Sequence, residues 1–209
     1  MAGLLSNFRN TMILSVILAA IMIYAFGAAS GHFDELFWQA TFRWMHVVFG
    51  ILWIGLLYYF NFVQIRKMPE IPAELKPAVS KFIAPEALFW FRWAALMTVL
   101  AGLGIIGLRE VQNHGYAAEV FSLGFAGGYT GPSDKSYTLM GIGVYLALIM
   151  FLNVWGIIWP NQKIALGLVE GDADAKAKAG RIAMLASRTN TLLSLPMLTA
   201  MAMFQTLNF

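Results

Sequence analysis

No cysteine occurs in the 209 residues, which excludes disulfides, thiolate zinc sites, iron–sulfur clusters and covalently attached c-type haem. Charge is also scarce. Asp, Glu, Lys and Arg together make up 12% of the chain, against about 25% in an ordinary soluble domain. No Asp or Glu falls within a long apolar run, which disfavours a carboxylate-driven proton pump or secondary transporter. Nucleophile-elbow, Walker-loop and H-E-x-x-H motifs are absent as well. What the chain has in abundance is apolar surface, with 59% hydrophobic residues and a mean hydropathy of +0.68. A single core of this size cannot hide that much from water, so part of it faces lipid. A soluble enzyme, a disordered tail and a stapled secreted domain are therefore excluded.

Five segments have the length and lack of charge of membrane helices: residues 11–29, 44–63, 88–108, 138–159 and 189–207. The first lacks a small-residue cleavage pattern and reads as a retained helix. Pro196 predicts a kink in the last. With the N-terminus inside, every Lys and Arg except Arg43, Arg109 and Lys135 falls on the cytoplasmic side, as the positive-inside rule requires. Trp38 and Trp44 then mark the outer boundary, and Trp90, Trp93 and Trp159 the inner one. The fold expected is an all-α integral membrane bundle forming one domain over residues 1–209, amino end in and carboxyl end out. Residues 64–87, with four prolines, read as a cytoplasmic loop holding at most one interfacial turn. Residues 109–137 read as a long outer segment, glycine-rich from Gly124 to Gly131, and 172–188 as a helix leading into the last span. Basic residues divided among separate loops do not make a nucleic-acid footprint.

Gly102, Gly104 and Gly107 spell G-x-G-x-x-G, but inside an apolar span where no strand can precede it. The motif therefore reads as close helix packing rather than a dinucleotide loop. His46 lies about one turn inside the outer end of the second span, where an ionisable group is costly and usually has a purpose. Its imidazole is a candidate ligand for a non-covalent haem b, or a hydrogen-bonding group at a helix contact; no metal site is otherwise expected. Bis-histidine ligation needs a second imidazole, and His32 and His114 belong to the outer segments. Asp34, Glu35, Arg43, Arg109 and Glu110 gather at that same face, as a small polar site or a solvated rim. At the inner face Asn61, Gln64, Arg92, Asn153, Asn161, Gln162, Lys163, Arg188 and Asn190 collect. They can recognise a planar, carbonyl-rich anion, or cap and cross-link helices. His46 and Asn61 are fifteen residues apart, roughly 22 Å of helix, so the two groups do not share one pocket.

The stretch Arg43-Trp44-Met45-His46-Val47-Val48 with the following GILWIGLLYYFNFVQ resembles the signature helix of the membrane-bound urate oxidases, also called urate hydroxylases. Phe89-Trp90-Phe91-Arg92-Trp93, Ile158-Trp159-Pro160-Asn161-Gln162-Lys163 and Ser187-Arg188-Thr189-Asn190 with LLSLP are similar to further blocks of that family's N-terminal membrane domain, in the same order. The resemblance implies an integral protein of the bacterial inner membrane tied to urate oxidation, with electrons passing to a periplasmic cytochrome c. It also implies His46 as the matching helix histidine and Arg92, Asn161, Gln162 and Asn190 as the matching polar, substrate-facing positions. Family histidines have given way to Ala87, Phe89 and Thr189, and with no cysteine no cytochrome c domain lies within these residues. Two functions stay open. One is a non-catalytic accessory subunit of a larger respiratory or photosynthetic membrane complex, surrounded by other membrane subunits. The other is a redox module that oxidises urate or a similar planar substrate.

Overall fold

The structure is a computed structural model that describes residues 2–31, 33–126, 135–204 and 206. Among the described residues it is helical without strands. After a short turn at Ala2–Leu5, α1 runs Phe8–Ser30. The next long helix, α2, is continuous over Glu35–Glu70, and α3 over Lys76–Gln112. A short α4, Tyr116–Phe121, precedes α5, Lys135–Ala165, and α6, Ala173–Met203. His32, the glycines after Phe125 and the last residues of the expected fifth span lie outside the described residues.

The ends of these helices follow from their capping residues. Asn7 accepts from Asn10 N at 3.3 Å and Asp34 from Phe37 N at 3.0 Å. Asp172 accepts from Ala175 N at 2.7 Å, with Asp174 following in the first turn. Each satisfies an otherwise orphaned N–H, and the two aspartates also place negative charge at the positive end of the helix dipole. Gly31, at φ +73°, closes α1 in the left-handed region, where glycine carries no steric penalty.

The segment expected to be a loop, 64–87, is corrected to mostly helix. Only residues 71–75 interrupt it. Pro77 sits in the first turn of α3, where the missing N–H has no helical partner to lose. Pro69 lies in the tight last turn of α2, Met68–Glu70, and Pro85 follows a π-helical turn, Val79–Ile83, inside α3. The helix that carries the expected second span begins at Glu35, and the one that carries the third at Lys76, so both helices extend beyond the apolar runs 44–63 and 88–108.

Two antiparallel hairpins make the bundle. α2 and α3 pack along their whole length, with Gln39 bonded to Gln112 at one end and Phe60 edge-on to Phe91 at the other. Ala94, Ala95, Ala101 and Gly102 keep the backbones close, as lipid-embedded helices require. α5 and α6 also run antiparallel. Gly143 of α5 lies against Ala200, Asn153 bonds Asn190, and Ala165 approaches Gly180. Trp53, Leu57, Phe91, Met150 and Val154 are the core between the hairpins.

α1, α2, α3 and α5 are long and apolar enough to cross a membrane. α6 is long enough but less apolar, because Asp174, Lys176, Lys178, Arg181 and Arg188 crowd its first half and Ser187, Asn190 and Ser194 follow; these last three are buried against the bundle. α1 stands apart. Among its residues only Gly27 is buried, beneath the rings of Phe33 and Phe37.

Candidate functional site

The face holding Gln39 and Gln112 and the face holding Asn61 and Asn190 carry different arrangements. At the first, a cavity of about 590 Å³ opens between α2, α3, α5 and α6. Its wall is Val47, Ile51, Ile54, Ile106, Val144 and Met197, among other apolar side chains. On α2 the polar contributors Arg43, His46 and Trp53 recur with helical spacing, so they fall on one stripe. Arg109 from the last turns of α3 joins Arg43 at the mouth. There a smaller void of about 400 Å³ continues past Tyr116 and Tyr137.

α4 closes this end. Glu110 accepts from the Gly115 and Ala117 backbone N–H groups at 2.8 and 2.7 Å, which folds the chain back sharply after α3. Thr138 donates to Leu123 O at 2.7 Å and Tyr145 to Phe121 O at 2.6 Å. Tyr116 is buried as a result, and Arg109 lies over its ring at 5.3 Å. Burial raises the Tyr116 phenol above its ordinary value against the opposing pull of Arg109 and Arg43, so at neutral pH it is an uncharged hydroxyl.

His46 Nδ1 lies 2.8 Å from Thr98 O. A carbonyl only accepts, so Nδ1 carries the hydrogen and Nε2 is left as the free ring nitrogen. That is how a metal-ligating histidine is usually oriented. Among the described residues, however, no other imidazole lines the cavity, and His114 is exposed in the turn after α3. The described residues therefore do not fit a bis-histidine haem b. Nor do they hold any group of three His, Asp or Glu side chains able to grip a metal ion. Trp53, 1% exposed, keeps its indole N–H in the cavity wall without a partner.

At the opposite face the polar side chains mainly join helices. Asn61 donates to Leu57 O at 2.9 Å and to Ser187 Oγ at 2.8 Å. Asn153 donates to Asn190 Oδ1 at 2.9 Å, and Asn190 donates to Met150 O at 2.9 Å. Ser194 donates to Thr191 O, so the Tyr58 hydroxyl, 2.9 Å away, is the donor to Ser194. Ser187, Asn190 and Ser194 thus form a buried polar ladder on α6. Asn61 and Asn153 reach it from π-helical turns, Tyr59–Gln64 and Asn153–Ile158. A π-turn often re-aims a side chain for a specific task. Arg92 packs its guanidinium on the Trp159 ring at 3.7 Å, an effective cation–π distance, with Nη1 buried and unpartnered. Asn161 donates to Ile157 O of its own helix at 2.8 Å, and Gln162 is partly exposed beside it.

Residues 129–204 match the family model described as urate oxidase N-terminal. Over that stretch the chain resembles the urate oxidase N-terminal family. No curated protein and no solved structure matches. The urate-oxidase-like stretch takes in α5 and α6, hence Asn153, Asn161, Gln162 and the polar ladder. His46, Arg92 and most of the cavity wall lie outside it. Of the four polar positions singled out in the sequence, Asn190 is in the ladder, Arg92 stacks on Trp159 nearby, and Asn161 and Gln162 sit one turn further along α5. Trp53 and Tyr116 were not singled out. The stripe Arg43, His46, Gly50, Trp53 was the sequence signal for the first; nothing in the sequence marked Tyr116 as part of a cavity.

Proposed function

We propose that this chain is a non-catalytic, accessory membrane subunit that uses a urate-oxidase-like scaffold for packing. It would cross a bacterial inner membrane five times, with its amino end in the cytoplasm. One observation carries the reading: Asn190 is fully buried, and its amide is engaged by Asn153 and Met150 O. A planar substrate reaching it would first have to part α5 from α6. Arg92, already stacked on Trp159, is likewise a helix-joining group. The isolated α1, an apolar helix with almost no contacts in its own chain, suits a subunit whose remaining surface meets other membrane proteins.

A second reading, the redox module oxidising urate or a similar planar molecule, draws support from the family match and from the free Nε2 of His46. One experiment decides between them. The chain is purified in mild detergent, its reduced-minus-oxidised spectrum is recorded, and urate-dependent reduction of added cytochrome c is measured. The accessory reading expects no haem band and no urate-dependent reduction. A b-type band lost in His46→Ala, or urate turnover lost in Asn190→Ala while the variant stays folded, would overturn it.

A further inference from the structure

The cavity at the Gln39–Gln112 end combines two features that the packing of the bundle does not require. Its interior is lined by aliphatic side chains from four helices. Its mouth holds two guanidinium groups, Arg43 and Arg109, which line both the main cavity and the adjoining void. Among the described residues no carboxylate lines either space. Among the described residues the only ion pair is Lys67–Glu70, far along α2, and the one carboxylate beside Arg109, Glu110, is held by backbone N–H groups of the α4 turn. Arg43 Nε is buried without a partner, and Arg109 reaches only the Tyr116 hydroxyl, at 3.4 Å. Two like charges at the edge of an apolar space repel each other and lack compensation, so the site as built calls for an anion.

We propose that this cavity binds an anionic amphiphile, with a single acyl chain among the aliphatic side chains and a carboxylate or phosphate head between Arg43 and Arg109. The volume lies within the range of about 300–1,000 Å³ of small-molecule pockets. A guanidinium pair matches either oxyanion through charge-assisted hydrogen bonds, and the neutral Tyr116 hydroxyl adds a donor at the same level. A urate-like ring would leave its own N–H and C=O groups unpaired against Val47, Ile51 and Val144. A quinone, being neutral, would leave both arginines uncompensated. The proposal does not rest on the accessory-subunit reading.

The test uses the full chain in a non-ionic detergent with cis-parinaric acid, a fluorescent fatty acid, as the probe. Saturable binding is expected, displaced by palmitate or by lysophosphatidylglycerol but not by monopalmitoylglycerol. Palmitate as the stronger competitor identifies a free carboxylate as the natural head; lysophosphatidylglycerol as the stronger one identifies a phospholipid. The double variant Arg43→Gln/Arg109→Gln should weaken the probe at least about tenfold, one charge-assisted bond's worth. Val144→Trp, which fills the cavity from α5, should abolish binding while leaving the circular dichroism unchanged. Equal displacement by monopalmitoylglycerol, undiminished binding in the double variant, or displacement by urate or a short-chain quinone would overturn the proposal.

Discussion

Single residues carry two kinds of constraint in this bundle, space and hydrogen bonding. Gly141 of α5 lies under α4, where an added Cβ would run into the Val120 carbonyl oxygen and the Leu123 side chain. Backbone cannot step aside as a rotamer can, so Gly141→Ala should lower stability by about 1–3 kcal/mol, the usual range for overpacking. Gly107, in the G-x-G-x-x-G run, has nothing within 4 Å of its would-be Cβ; Gly107→Ala should be neutral or stabilise by up to about 1 kcal/mol through helix propensity. Unfolding by SDS titration in mixed micelles would compare the two, and equal effects would contradict the packing described. Asn190→Ala, by the same assay, should cost about 1–3 kcal/mol, since it strips a bond from Asn153 and from the Met150 carbonyl. The sequence showed that these polar residues were unusual for a membrane segment. It could not show that Asn190 faces Asn153 rather than a void, because that depends on how α5 and α6 are paired.

At the scale of elements, hydropathy alone located the four most apolar helices, since their interiors hold almost no charge. Their ends were less legible. Prolines in 64–87 read as loop markers, whereas Pro77 in the first turn of α3 and Pro69 in the last turn of α2 leave the helices intact, and a helix cap such as Asp34 extends α2 about two turns beyond its apolar run. α6 is the ambiguous case. Its charged first half and polar ladder lower its hydropathy, yet it lies antiparallel beside α5 from Ala200 opposite Gly143 to Gly180 opposite Ala165, so it covers the same depth as a helix that is long and apolar enough to span. A helix so paired is expected to cross with it. The absence of cysteine lets single-cysteine probes be read without background. Asp174→Cys should react with a membrane-impermeant maleimide only after the membrane is opened, and Thr206→Cys in intact spheroplasts. Labelling of position 206 from the cytoplasmic side alone would remove the fifth crossing and reverse the inferred sidedness of the carboxyl end.

The whole molecule divides unevenly into a bundle and an outlying helix. α2, α3, α5 and α6 share the core and enclose the cavity, and no residue of α1 belongs to either. α1 is tied on by a small aromatic clip, Tyr24 stacked on Phe33 at 5.8 Å and Phe33 edge-on to Phe37 at 4.9 Å, over Gly27. A helix contributing so little buried surface adds little to the stability of the rest. A chain beginning at Gly31 should therefore fold into the same bundle, with a melting temperature within about 4 °C of the full chain, the shift that about 1 kcal/mol gives at this size. Binding of the acyl probe should also survive, because its wall is untouched. If the accessory reading is right, the same truncation should behave differently in the native membrane. There most of the α1 surface is left uncovered by the described residues of its own chain, and a neighbouring subunit supplies the contact. On native gels of solubilised membranes the full chain should then migrate within a large assembly and the truncated chain as a free bundle. Co-migration of the two would show that α1 simply faces lipid, and that any assembly is held through another face.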